Sequence, residues 1–149
     1  MGEVNGIKIS TDFSLKEFES PDTHEVMIDP ELVDYAQKLR DLVGGPVMVE
    51  SGYRTPEHNA AVHGSPNSYH MRGQALDCWT VGVTLLELAL AAVQAGFSSV
   101  IIERVKSIVH CALGPQQQLI VPAESYDEAK RAVVPADFPV FKYEVVFPN

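Results

Sequence analysis

Apolar residues fall at helical spacing in some stretches of the chain and at strand spacing in others. In "DPELVDYAQKLRDLVGG" the positions Leu32, Tyr35, Ala36, Leu39 and Val43 form one stripe, the pattern of a helix that buries a single face. Asp29 suits its N-cap, Pro30 its first turn, and Gly44 and Gly45 its end. "TLLELALAAVQAG" gives a second helix, from Thr84 to a terminating Gly96, with capping-box spacing at its start. The same spacing in "SLKE", Ser14 to Glu17, predicts a short helix ending by Pro21.

Short apolar runs bounded by turn residues supply the strands. Val47 to Ser51 is one, delivering a turn at Gly52; "ALDCWT" has the character of a central strand. "SSVIIE" and "SIVHCAL" read as a hairpin joined around Arg104 to Lys106. Between these, Thr55 and Pro56 open a helix in "TPEHNAAV", and "HGSPNS" is a loop. The remainder, "QQLIVPAESYDEAKRAVVPADFPVFKYEVVF", suggests strand, helix, strand, with Phe141, Tyr143 and Val145 alternating in the last element. No repeat or linker breaks the chain, so residues 1–149 are expected to form one α+β domain.

Composition adds limits. At 149 residues, 46% hydrophobic and 21% charged, the chain has the balance of a soluble domain with a real core. A formal charge of −9 with no basic run argues against nucleic acid or an anionic membrane surface as partner. The N-terminus has no basic segment followed by an apolar run, so no signal peptide is expected, and no apolar stretch is long enough to span a bilayer. Cys78 and Cys111 sit in apolar, strand-like runs and read as buried free thiols.

The candidate chemistry lies in "SYHMRGQALD", Ser68 to Asp77. A catalytic metal takes three ligands from His, Asp, Glu and Cys and keeps a position for water. His70 precedes a glycine turn at Gly73, Asp77 lies on the following strand, and His110 interrupts an otherwise apolar strand, on the face shared by Ile108 and Ala112. By spacing alone, a core histidine bonded to a carbonyl and an aspartate ending a strand explain the same residues.

The longer stretch "SGYRTPEHNAAVHGSPNSYHMRGQALD" resembles the core of the zinc D-alanyl-D-alanine metallopeptidases, which include phage endolysins and small carboxypeptidases. Their pattern Ser-x-His-x-x-Gly-x-Ala-x-Asp is met by Ser68, His70, Gly73, Ala75 and Asp77, and their upstream Ser-Gly-Tyr-Arg element by Ser51 to Arg54. "IIERVKSIVHCAL" is similar to the third-ligand segment of the hedgehog signalling domain, which shares this fold. The resemblance covers roughly residues 13–113, leaving 115–149 as an extension.

It implies a mostly antiparallel sheet with flanking helices, and zinc held by His70, Asp77, His110 and a water. Arg54 would contact substrate, stabilising an oxyanion or binding a carboxylate; its other reading is a surface salt bridge to Glu50 or Glu57. Ser68 would bind substrate or hold its own turn.

The general base departs from the family. Relatives carry a glutamate or histidine two or three residues before the last ligand, where this chain has Ser107 and Ile108, so Glu103 is the acidic candidate. The His-x-Asp of many relatives is here His110, Cys111, Ala112. His58 and His63 read as exposed or locally bonded, with a second metal site or a substrate contact from His63 as the other reading; His24 reads as surface and Trp79 as core, and a groove role for Trp79 and Tyr69 is the alternative.

The function so implied is a monomeric, soluble zinc peptidase cutting peptidoglycan stem peptides, as a D-Ala carboxypeptidase or an endopeptidase. It would act from the host cytoplasm by phage-type release, or from a virion. The alternative is a zinc-binding, non-catalytic virion or peptide-binding module.

Overall fold

The computed structural model describes residues 4–115, 117–132 and, as backbone, 140–144. Among the described residues, four α-helices, α1 (Pro30–Val43), α2 (Pro56–Ala61), α3 (Leu85–Ala95) and α4 (Tyr126–Ala132), accompany six strands. The strands are β1 (Met48–Ser51), β2 (Ala75–Trp79), β3 (Ser99–Glu103), β4 (Ile108–Ala112), β5 (Gln118–Pro122) and β6 (Val140–Glu144). They form one sheet in the order β1-β2-β4-β3-β5-β6. Pairing is antiparallel from β1 to β3 and parallel from β3 through β5 to β6, so the α+β architecture expected from the pattern is the one observed.

Local chemistry sets the helix limits. Asp29 accepts from the Glu31 amide at 2.9 Å ahead of α1, and Thr84 from the Glu87 amide at 3.0 Å ahead of α3, with the Glu87 carboxylate returning to the Thr84 amide. In "SLKE" the Glu17 carboxylate accepts from the Ser14 amide at 2.7 Å, and the segment Leu15–Phe18 is a 3-10 turn. The expected hairpin is β3–β4, turned at Ser107 in the left-handed region (φ 56).

Alternation separates the two faces of the sheet. Cys78, Val100, Ile102, Val109, Cys111 and Leu119 are buried in the core with Leu32, Ala36 and Leu39 of α1 and Leu88, Ala89 and Ala92 of α3. Tyr35 and Phe97 meet edge to face at 5.7 Å. Both thiols are free, and burial first, then the neighbouring Cys78, pushes the Cys111 thiol above its usual range.

The opposite face carries the polar residues. One cross-strand row runs Ser51, Asp77, His110, Ile101, Ile120, Lys142, a residue from each strand of the sheet. The C-terminal strand, helix and strand extend this same sheet. The side chains of Phe141 and Tyr143, and all of Val145, lie outside the described residues. No helix among the described residues is long and apolar enough to cross a membrane.

Candidate metal centre

Asp77 and His110 face each other directly across β2 and β4. The His110 imidazole Nδ1 lies 2.9 Å from Asp77 Oδ1. His70 reaches the same oxygen from a different element, a 3-10 turn at Tyr69–Arg72 whose first amides are capped by Ser68. Its Nε2 lies 3.3 Å from Asp77 Oδ1, and the two imidazoles are 5.2 Å apart at their centroids. His70 and Asp77 are buried, while His110 is half-buried and opens to solvent.

Gly73 ends the turn with φ 66, and a Cβ there would lie 2.3 Å from the Met27 carbonyl oxygen. No side chain fits. That turn lets the chain reverse from His70 into β2 so that Asp77 points back at the imidazole.

The "SGYR" element supports the ligands from behind. Gly52 offers its carbonyl to His70 Nδ1 at 2.7 Å, in a buried contact. A carbonyl only accepts, so Nδ1 carries the proton and the neutral ring presents a bare lone pair at Nε2. That lone pair faces a carboxylate oxygen. Two acceptors at this separation repel unless a cation, a proton on the ring or a metal ion, sits between them. The ligand atoms of His70, Asp77 and His110 lie within 4.8 Å of one another, and two imidazoles with one carboxylate form a donor set that suits zinc.

A Cβ on Gly52 would meet the Phe18 Cα at 2.6 Å and its carbonyl oxygen at 2.8 Å. Both are backbone atoms, so the strand would have to move and carry the His70 acceptor with it. Gly52→Ala is expected to lower unfolding stability by about 1–3 kcal/mol and to weaken metal binding, read by urea unfolding and elemental analysis. An unchanged midpoint would show that the Phe18 backbone yields.

Asp77 is held ionised. Burial works against its charge, but the hydrogen bond from His110 and, when the His70 ring is also protonated at Nε2, that from His70, with the charge the protonated rings carry, outweigh it and hold the carboxyl well below the usual carboxylate range. Arg54 adds a further partner. Its guanidinium spans Asp77 Oδ2 at 3.2 Å, Ser51 Oγ at 3.0 Å and Asn59 Oδ1 at 3.3 Å. The surface pairing with Glu50 or Glu57 is therefore not formed; Arg54 is largely buried against the site.

The centre lies in a cleft of about 980 Å³. Glu103 lines it, on the same face as His110 and paired with Ile108 in the hairpin. Diagonal neighbours of this kind are roughly 7–8 Å apart, and the Glu103 carboxylate has no hydrogen-bond or ion-pair partner among the described residues. Ile108 carries no group that can take a proton, and Ser107 lies in the hairpin turn, outside the lining of this cleft.

Ser68 also lines the cleft, as do His58 and His63, which stand apart from the ligand cluster. His24 is exposed and bonds Glu19, as a surface residue should. Trp79 corrects the sequence reading. It is 36% exposed, on the cleft face at the end of β2, with its indole N–H donating to Glu50 at 3.1 Å. Alternation explains this, because Leu76 and Cys78 occupy the core-facing positions. Tyr69 is not part of the cleft wall; the Arg72 guanidinium lies over its ring.

Two supporting groups escaped the sequence. Asn59 is buried and bridges Arg54 to the Ser65 carbonyl, and the Gly52 carbonyl sets the His70 tautomer. A buried asparagine in a short helix leaves no periodic signal, and a carbonyl leaves none at all.

The chain is 33% identical over 95 residues to the peptidoglycan L,D-endopeptidase MepK of Escherichia coli (strain K12), covering 59% of this chain and 52% of that protein. The same figures hold for the proteins of that name from Escherichia coli O157:H7 and Shigella flexneri. The chain thus spans about half the length of the curated relatives it matches. The model of the Peptidase M15 family matches residues 4–112, which include every residue of the cluster, and the chain belongs to that family.

Proposed function

We propose that the protein is a zinc peptidase acting on peptidoglycan stem peptides. The observation that carries this reading is the His70 lone pair aimed at the Asp77 carboxylate, with His110 completing a three-ligand cluster at the floor of an open cleft. His70 Nε2, Asp77 and His110 would hold the ion. Zinc supplies there a Lewis acid for the peptide carbonyl and an acidified water.

The chain's own residues divide the remaining work. Gly52 fixes the His70 ring and keeps the proton on Nδ1. Glu103 accepts the proton of the attacking water and returns it to the leaving amine, acting as a base free of competing partners. Arg54 keeps Asp77 charged and oriented, and its exposed edge offers N–H groups to a developing oxyanion or a substrate carboxylate. Ser68 holds the His70 turn, and its place in the cleft wall lets it contact substrate as well.

The bond cut is a terminal D-alanine linkage or an interior one, and the products of muropeptide digestion distinguish these. The same reading has the enzyme work as a monomer that reaches the wall by phage-type release or from a virion. The zinc-loaded protein is expected to release new amino groups from purified peptidoglycan, and a chelator to stop it.

A second reading is a metal-binding module without hydrolysis. It is favoured by Ile108 and Ala112, which stand where polar groups would serve the chemistry. Metal binding without any release of amino groups would select it.

A further inference from the structure

Arg54 is pinned at three corners of its guanidinium. Nε donates to Ser51 Oγ at 3.0 Å, Nη2 to Asp77 Oδ2 at 3.2 Å and Nη1 to Asn59 Oδ1 at 3.3 Å. A guanidinium carries five N–H groups, so two remain without a partner among the described residues, on a side chain that lines the cleft. Ser51 and Asp77 hold the group from the sheet, on β1 and β2; Asn59 holds it from α2.

Asn59 is itself fixed. It is buried, its side-chain nitrogen donates to the Ser65 carbonyl at 2.8 Å, and its backbone carbonyl accepts from the Gly64 amide at 2.8 Å. Arginine only donates and a carbonyl only accepts, so the side-chain amide satisfies both neighbours in one orientation. The loop after α2 closes over this contact. A Cβ on Gly64 would run into Asn59 Oδ1 and come within 3.0 Å of Arg54 Nη1, so the bare glycine leaves the space in which the two side chains meet.

We infer that Asn59 is a positioning residue: it sets the rotation of the Arg54 guanidinium so that the two free N–H groups meet the oxyanion formed when a peptide carbonyl is attacked. The inference rests on the peptidase reading above. Asn59 does not line the cleft, so its influence on the reaction passes through Arg54.

The probe is a peptide phosphinate, whose charged tetrahedral group copies the attacked carbonyl without being cleaved. Phosphinates of the terminal and of the interior stem-peptide linkage are titrated calorimetrically into the full chain supplied with zinc, and the tighter of the two is carried through the variants. Asn59→Ala should weaken it roughly tenfold, the cost of a misplaced group, with zinc content unchanged. Arg54→Ala should weaken it on the order of 10²-fold. Adding Asn59→Ala to Arg54→Ala should cost nothing more, because residues that act as one unit are not additive. Gly64→Ala keeps both side chains but displaces their contact. It should reproduce the loss, again only while Arg54 is present, and it carries the same comparison if Asn59→Ala fails to fold.

Equal losses with and without Arg54 would make Asn59 a structural residue and overturn the inference. So would full affinity in Asn59→Ala or Gly64→Ala, or a parent that binds neither phosphinate. Peptidoglycan cleavage is followed on the same proteins. If the coupling holds while peptidoglycan is never cut, the positioning stands and the peptidase reading falls. If peptidoglycan is cut and the losses simply add, the reverse follows.

Discussion

His70→Ala is expected to yield a chain that retains little zinc after dialysis, where the parent retains about one ion per molecule. The effect is large because His70 provides one of three ligands and its ring is locked for that purpose by the Gly52 carbonyl. Removing the ring also leaves that carbonyl buried without its donor, a loss of about 1–3 kcal/mol, so folding must be read beside metal content. His110→Ala is the companion variant. His110 is half-buried and, among the described residues, hydrogen-bonds to Asp77 alone, and its loss should remove the metal with less harm to the fold. Circular dichroism with elemental analysis separates these effects. Stoichiometric zinc in both folded variants would place the metal elsewhere and remove the basis of the peptidase reading.

Glu103→Gln should behave in the opposite way, keeping zinc and losing catalysis. Glutamine preserves size and polarity but cannot accept the water's proton, and positioned bases contribute on the order of 10²–10⁴-fold in rate. The side chain is half-exposed and unpaired among the described residues, so its replacement should leave stability within about 0.5 kcal/mol. The measurement is kcat on a peptidoglycan fragment, with zinc content determined on the same sample. A fully active variant would take Glu103 out of the mechanism and turn attention to the other carboxylates in the cleft wall, Glu17, Glu19 and Glu50.

Much of this was legible in the sequence because the signals were periodic or punctuated. The stripe from Leu32 to Val43, the caps at Asp29 and Thr84, and the alternation that put His110 opposite Cys111 all recur in the structure. The ligand cluster needed more than spacing. His70, Asp77 and His110 lie on separate elements, and only the pairing of β2 with β4 brings the last two together. Trp79 was misplaced because a short apolar strand looks alike whether one or both faces are covered; only the sheet shows that this end of β2 borders a cleft. Arg54 was read as a substrate contact or a surface cation, and its bond to Asp77 went unforeseen because the two are distant in sequence.

The left-handed turn at Ser107 has a consequence for ligand identity. A strand that slips by one residue exchanges its faces. In β4 such a slip would carry His110 into the apolar core and bring Cys111 out beside Asp77. The misaligned chain would still offer the cluster a donor, since a thiolate binds zinc at least as readily as an imidazole. An error of register would therefore be trapped by the metal rather than rejected by it. The hairpin geometry, more than any preference of the ion, decides that the cleft displays nitrogen and keeps sulfur inside.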